Sequence, residues 1–327
     1  MSHTTISSKG VKTMPKAKLI VGSDPEFMLV DNHGNLKSAI GIVKGTKEEK
    51  IDLGDGNKLF YDNVLAEVNI NPADSPDGLV QSFANCLSRL SRAISPYQLR
   101  LQASATYPPA ECKHPDALVF GCDPEFDAYQ MGIVQAPECK TTFRSAGGHV
   151  HLGYSVEEWP LKAPNDEDGG VARAWGRVWV VRMLDLFLGI PSLWIDQDPH
   201  SPARRKLYGK AGYHRPSKPD NDYGVEYRAT SNFWLRSPET VKLVFNICDF
   251  VVGFVAENRH LELWEDEQTC KAYNAETLQK AINESDKKLA KDFLNTFVKK
   301  YMPNELYGQI LQHSEPVQVN LIQSWGL

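Results

Sequence analysis

Eight acidic or imidazole side chains lie on stretches of this chain that read as β-strands. Asp24 and Glu26 stand two apart in KLIVGSDPEFMLV (18–30), and Glu67 lies in LFYDNVLAEVNIN (59–71). Asp123 and Glu125 fall in a second DPEF, His149 and His151 in RSAGGHVHLGY (144–154), and Glu226 in YGVEYRATSNFW (223–234). Residues two apart on a strand share a face, so each pair projects together. An isolated H-x-H reads equally well as two ordinary strand histidines. The surrounding acids favour the chemical reading. Carboxylates with an occasional neutral imidazole make hard ligation, suited to Mg2+ or Mn2+ more than to structural zinc. Arg204, Arg205 and Arg215 in SPARRKLYGKAGYHRPSKPDND (201–222), with Arg228 on the strand, add the cations that a polyphosphate and a developing oxyanion require. This combination points to activation of a carboxylate by ATP.

Composition narrows the field. The chain has 327 residues, 42% hydrophobic and 24% charged, as expected of a globular protein with a substantial core. A formal charge of −5 argues against a general nucleic-acid grip. There is no G-x-x-x-x-G-K-[ST] loop, and Gly209-Lys210-Ala211-Gly212 is too short to stand for one. The six cysteines are scattered without a C-x-x-C pair, and read as reduced thiols of a cytoplasmic protein. The apolar run 178–195 is interrupted by Arg182 and Asp185, which predicts a buried helix and no membrane span.

The elements that must position these groups follow from periodicity. Residues 1–18 are polar and aperiodic, a flexible arm, and 19–327 reads as a single domain ending in helices. Pro25 suits a strand edge or bulge. Residues 44–58 are expected as a mobile loop whose turns, Asp52-Leu53-Gly54 and Asp55-Gly56, suggest hairpin connections, and 59–71 as one alternating strand that puts Asn63, Leu65, Glu67, Asn69 and Asn71 on one face. Ser75 opens a helix to about Ile94, striped by Leu79, Phe83, Cys86, Leu87 and Leu90. Helices are predicted over 171–188, from Pro238 to about Trp264, and over 275–301, while 201–222 shows no period and is read as a long functional loop. GSDPEF (22–27) returns as GCDPEF (121–126). Asp123 and Glu125 are open to either a site or a strand-capping role.

Taken in order, D-x-E, D-N-x-x-x-E, G-G-H-V-H-x-G, R-R-x-x-Y-G-x-A-G-x-x-R and E-Y-R resemble the carboxylate–amine ligases of the glutamine synthetase and glutamate–cysteine ligase superfamily. Within it the pattern most resembles the phage amidoligases called COOH-NH2 ligase type 2. The motifs run from Gly22 to Asn232. The resemblance implies an α+β fold, with a curved antiparallel half-barrel sheet, the site on its concave face and helices on its convex side. It implies Asp24, Glu26, Glu67, His149 and Glu226 as metal ligands, with Asp62 and Asn63 as weaker matches to the turn before Glu67. It implies His151 and Tyr208 near nucleotide, and Arg204, Arg205, Arg215 and Arg228 on phosphates and the reacting intermediate. The departure is at the first position, where Asp24 stands in place of the more familiar Glu. The implied cofactors are ATP and Mg2+ or Mn2+. The implied partners are small-molecule, peptide or protein carboxylates and amines, with no nucleic acid or membrane and with scope for a homo-oligomer. A phage origin would place it in host cytoplasm.

Two other classes compete. A cupin-like enzyme would hold one metal with His149, His151 and Glu157 or Glu158, leaving the arginines and both DPEF copies idle. A non-catalytic phage protein retaining a ligase fold would leave clustered carboxylates without a purpose to offset their repulsion.

Overall fold

The computed structural model describes residues 18–119, 125–134, 142–155, 170–216, 224–265, 267–314 and 320–327. The arm before Lys18, Asp123, Glu157, Glu158 and the end of the arginine segment (217–222) lie outside them. Lys18, expected to close the arm, opens the first strand.

The strands are β1 (Lys18–Ser23), β2 (Glu26–Val30), β3 (Leu36–Lys37), β4 (Ile51–Gly54), β5 (Asn57–Asp62), β6 (Leu65–Asn69) and β7 (Gln98–Arg100). They continue as β8 (Ser104–Thr106), β9 (Glu125–Asp127), β10 (Gly132–Val134), β11 (Phe143–Ser145), β12 (Val150–Ser155), β13 (Tyr213–Pro216) and β14 (Gly224–Tyr227). One six-stranded sheet has the order β1-β12-β14-β13-β9-β10. The other runs β3-β2-β6-β5-β4, with β7 also on β2, and β8 pairs with β11. Among the described residues, the ladders between these strands are antiparallel. The expected curled, antiparallel half-barrel with helices is borne out at that level.

The expected single strand 18–30 is two strands in two sheets. Proline has no N–H to offer a ladder, and at Asp24-Pro25 the chain leaves the first sheet and enters the second.

Alternation does the sorting. Leu19 and Val21 of β1, Val150, Leu152 and Tyr154 of β12, and Val225 and Tyr227 of β14 are buried in the main core. Helix α2 (Gly170–Leu184) packs over β13 and β14, and α5 (Pro238–Ala256) over β1. The intervening residues Gly22, His151 and Glu226 therefore face the other way.

Helix α1 (Pro76–Ala93) starts where predicted, with Ser75 Oγ accepting from the Gly78 N–H at 3.3 Å and the predicted stripe buried. Helix α2 continues through a π-turn at Asp185–Gly189 into α3 (Ile190–Ile195). The stretch Ala174–Ile195 is long and apolar enough to cross a membrane, but 83% of its apolar window is buried inside this fold. It is a core helix, as Arg182 and Asp185 suggested.

The hairpin connection expected within 44–58 is present, joining β4 to β5 at Asp55-Gly56. Three further expectations need correction. Residues 59–71 are not one strand: Asn63, at φ 56°, turns β5 back onto β6. The arginine segment contains α4 (Ser201–Leu207) and β13. The two late helices are shorter than expected. Asn258, at φ 60°, ends the run after α5, and Ser285, at φ 56°, precedes a new helix capped by Asp286.

Candidate functional site

Across the first sheet Gly22, His151, Glu226 and Arg215 stand in register on β1, β12, β14 and β13. Cross-strand partners share a face, so one row presents an imidazole, a carboxylate and a guanidinium. Asp24 reaches into this row from the end of β1. Its Oδ1 lies 3.1 Å from both His149 Nδ1 and His151 Nε2. The His149 contact is a hydrogen bond, whereas the His151 contact is close but out of line. Ligand atoms of Asp24, His151 and Glu226 lie within 4.8 Å of one another, and His149 Nδ1 is 3.5 Å from Glu226 Oε1.

A second group forms where β2 meets β6. Glu26 and Glu67 are directly opposed across the ladder, a like-charge pairing that is unfavourable unless something positive intervenes. Asp62 completes the group, all three within 4.8 Å of one another. The hairpin explains its presence. Asp62 pairs with Leu65 and Phe60 with Glu67, so Asp62 and Glu67 share a face that a straight strand would have denied them. Lys47 closes this end, with Nζ 2.7 Å from Asp62 Oδ2.

The two glycines before the histidines serve the chain itself. A Cβ on Gly147 would lie 2.5 Å from His149 Nε2, and one on Gly148 would lie 2.6 Å from the Ser231 carbonyl. The Gly147 N–H also donates to Glu26 Oε2 at 2.5 Å, tying the histidine turn to the second group.

Burial and crowding shape the charges. Burial, and then Asp62, push the Glu26 carboxyl up to about 7, against the Gly147 N–H. Burial, and then Asp24, push Glu226 up to about 7. Glu67 is pushed well above the carboxylate range by burial, Asp24, Glu26 and Asp62. Burial acts on Asp24 too, yet His151 and His149 outweigh it and hold Asp24 well below its usual range. Burial and the Arg228 cation hold His149 down to about 3, so its imidazole is neutral. With Nδ1–H donating to Asp24, the buried Nε2 is left a lone pair without a hydrogen-bond partner among the described residues. Carboxylates, a neutral imidazole with an unused lone pair and no thiolate in either group make a donor set that fits hard divalent ions.

The arginines divide. Arg228 donates from Nε to Glu125 Oε1 at 2.6 Å and from Nη1 to Glu226, beneath the Tyr208 ring, whose centroid is 5.1 Å from the guanidinium. Arg215 Nη1 is 3.9 Å from Glu226 Oε1. Tyr208 lies beside His149 at 6.1 Å between ring centroids. Arg204 and Arg205, expected on a phosphate-binding loop, are buried on α4. Arg204 donates to the carbonyls of Ala229 and Arg228, each at 3.1 Å. Arg205 donates to Ser192 Oγ at 3.1 Å and lies 3.8 Å from Asp196. These two hold the floor beneath β14.

The structure thus brings Asp24, His149, His151, Glu226, Arg215, Arg228 and Tyr208 together, and Glu26 with Glu67 beside them. His151, expected on the nucleotide side, stands among the acids. Sequence reasoning passed over Asp62 as a ligand, missed Lys47 and left Glu125 undecided. The Asp-Asn pair at 62–63 was an available turn signal. Nothing local marked Lys47.

Residues 175–325 match the family model described as phage phiEco32-like COOH.NH2 ligase type 2. The resemblance drawn from the motifs is therefore present over this span, which holds Arg204, Arg205, Tyr208, Arg215, Glu226 and Arg228. Asp24, Glu26, Glu67 and both site histidines precede it. No curated protein sequence matches. Among solved structures, the chain is similar to a bifunctional glutathione synthetase from Pasteurella multocida, at 10% identity and a TM-score of 0.46. That likeness covers 94% of this chain and 51% of the synthetase, so the chain spans about half its length.

Proposed function

We propose that this chain is an ATP-dependent carboxylate–amine ligase with a glutamine synthetase-like site. A substrate carboxylate attacks the γ-phosphorus of ATP, forming an acyl phosphate and releasing ADP. An amine then attacks the acyl carbon, the C–O bond to phosphate breaks, and an amide, inorganic phosphate and a proton result. The observation that carries this reading is the pair of adjoining acid groups, Asp24–His151–Glu226 and Glu26–Asp62–Glu67, set beside Arg215 and Arg228. The family match supports the ligase class.

Asp24, His151 and Glu226, with His149 beside them, would hold one Mg2+ or Mn2+, and Glu26, Asp62 and Glu67 a second. Ions bound there would neutralise phosphate charge. The chain's own contribution is placement. Two of the four residues in the β-row are charged partners whose positions are fixed by ladder hydrogen bonds, so little reorganises as charge develops. Arg215, at the row's end, faces the anionic substrates. Arg228 orients Glu226, Glu125 orients Arg228, and Tyr208 covers the guanidinium. Arg204 and Arg205 act as scaffold.

Hydroxylamine is a generic amine that traps acyl phosphates as hydroxamates. Wild-type protein with Mg·ATP, hydroxylamine and a panel of amino acids and peptides should release ADP and form hydroxamate with at least one acid. Glu226→Gln should lower that rate about 100-fold or more. Protein that neither binds nor turns over ATP at any Mg2+ concentration would refute the proposal.

A further inference from the structure

We infer that Lys47 is the built-in counter-cation of the Glu26–Asp62–Glu67 group, and that a divalent ion occupies this group only by displacing the Lys47 ammonium. The inference rests on the reading of that group as a cation site and concerns how the site is filled.

Lys47 is held in place. Its loop, residues 44–50, is pinned at one end by the Tyr61 N–H donating to the Gly45 carbonyl at 3.1 Å, and at the other by Ile51 pairing with Leu59. Within it the Thr46 N–H donates to the Glu49 carbonyl at 3.0 Å. The backbone thus carries Lys47 alongside Asp62, the residue after Tyr61. The ammonium sits 2.7 Å from Asp62 Oδ2, and Glu67 and Glu26 both act on it. A divalent ion bound to the same three carboxylates would stand within a few ångströms of that ammonium, and at such range two cations repel strongly even at a high effective dielectric.

The two groups differ in this respect. The cations at Glu226 are Arg215 and Arg228, both on or beside sheet strands, and Arg228 is 3% exposed. The Lys47 side chain is 44% exposed on a loop at the rim, with a flexible stem that can swing into solvent.

Mn2+ titrations followed by EPR of the free ion, on wild type, Lys47→Met, Lys47→Gln, Glu67→Gln and Glu226→Gln, test this. The binding class abolished by Glu67→Gln should tighten about tenfold in both Lys47 variants, as removal of a close like charge requires. The class abolished by Glu226→Gln should keep its affinity. If the Lys47 variants leave the first class unchanged or weaker, displacement is overturned while the ligase reading stands. If neither wild type nor the Lys47 variants bind Mn2+, both fall.

Discussion

Asp185 shows how a single buried side chain can serve the site without touching it. It is wholly buried in the π-turn between α2 and α3, where it accepts from the Tyr227 hydroxyl and the Gly212 N–H, each at 2.7 Å. Tyr227 is thereby fixed on the core side of β14, and its neighbour Glu226 must face the row of ligands. Burial pushes the Asp185 carboxyl up to about 7 from 3.8. Between those values the native state keeps a proton that the unfolded chain has released. Stability is therefore full below about pH 4 and declines as pH rises to about 7, by on the order of 4 kcal/mol from this group. Asp185→Asn keeps the shape and removes the titration. Urea unfolding at pH 4.5 and 7.5 should show wild type losing more stability across that interval than the variant, and equal losses would contradict the assignment. At this scale the facing of His151 and Glu226 was legible because period-two alternation sets them opposite the core-facing Val150, Leu152, Val225 and Tyr227, whereas Asp24 and Glu26, read as a pair on one strand, stand in different sheets. Arg204 and Arg205 were misread because nothing in RRKLYG tells whether a guanidinium ends in water or on backbone carbonyls.

Among the elements, the entrance to β12 is a tight joint. The Gly148 carbonyl accepts from Thr230 Oγ1 at 2.7 Å and Trp234 Nε1 at 3.0 Å, and Trp234 packs edge-on against Phe83 of α1 at 5.3 Å. A Cβ on Gly148 would meet the Ser231 carbonyl at 2.6 Å and Asn232 Cα at 2.7 Å, both backbone. Gly148→Ala should therefore cost about 1–3 kcal/mol in urea unfolding and weaken Mn2+ binding, because the histidine turn must move away from the first sheet. Unchanged stability would mean this crossing is looser than it looks. Helix α1 and the start of α5 could be read from Ser75, Ser237 and their stripes, since capping and amphipathicity are local. The β5–β6 hairpin had a local turn signal in Asp62-Asn63, but the sheet switch at Asp24-Pro25 could not be read, because it depends on which distant strand accepts the pairing.

For the molecule as a whole, Glu26, Glu67 and Glu226 are three carboxylates that the folded state crowds and the unfolded chain disperses. Ions that bind only the folded state raise its stability by mass action, by about 2.7 kcal/mol at a hundredfold excess over Kd. For a chain of 327 residues this is a Tm increase of about 4 °C, reversed by EDTA. A melting point indifferent to both Mn2+ and EDTA would count against the two acid groups as cation sites. The sheet switch has a structural corollary as well. Asp24 and Glu26 are anchored in different sheets yet separated by one proline, so the span between their Cα atoms can never exceed about 7 Å. Breathing of one sheet against the other cannot pull the two acid groups apart at this point, because a covalent ruler, and not packing, sets the separation there.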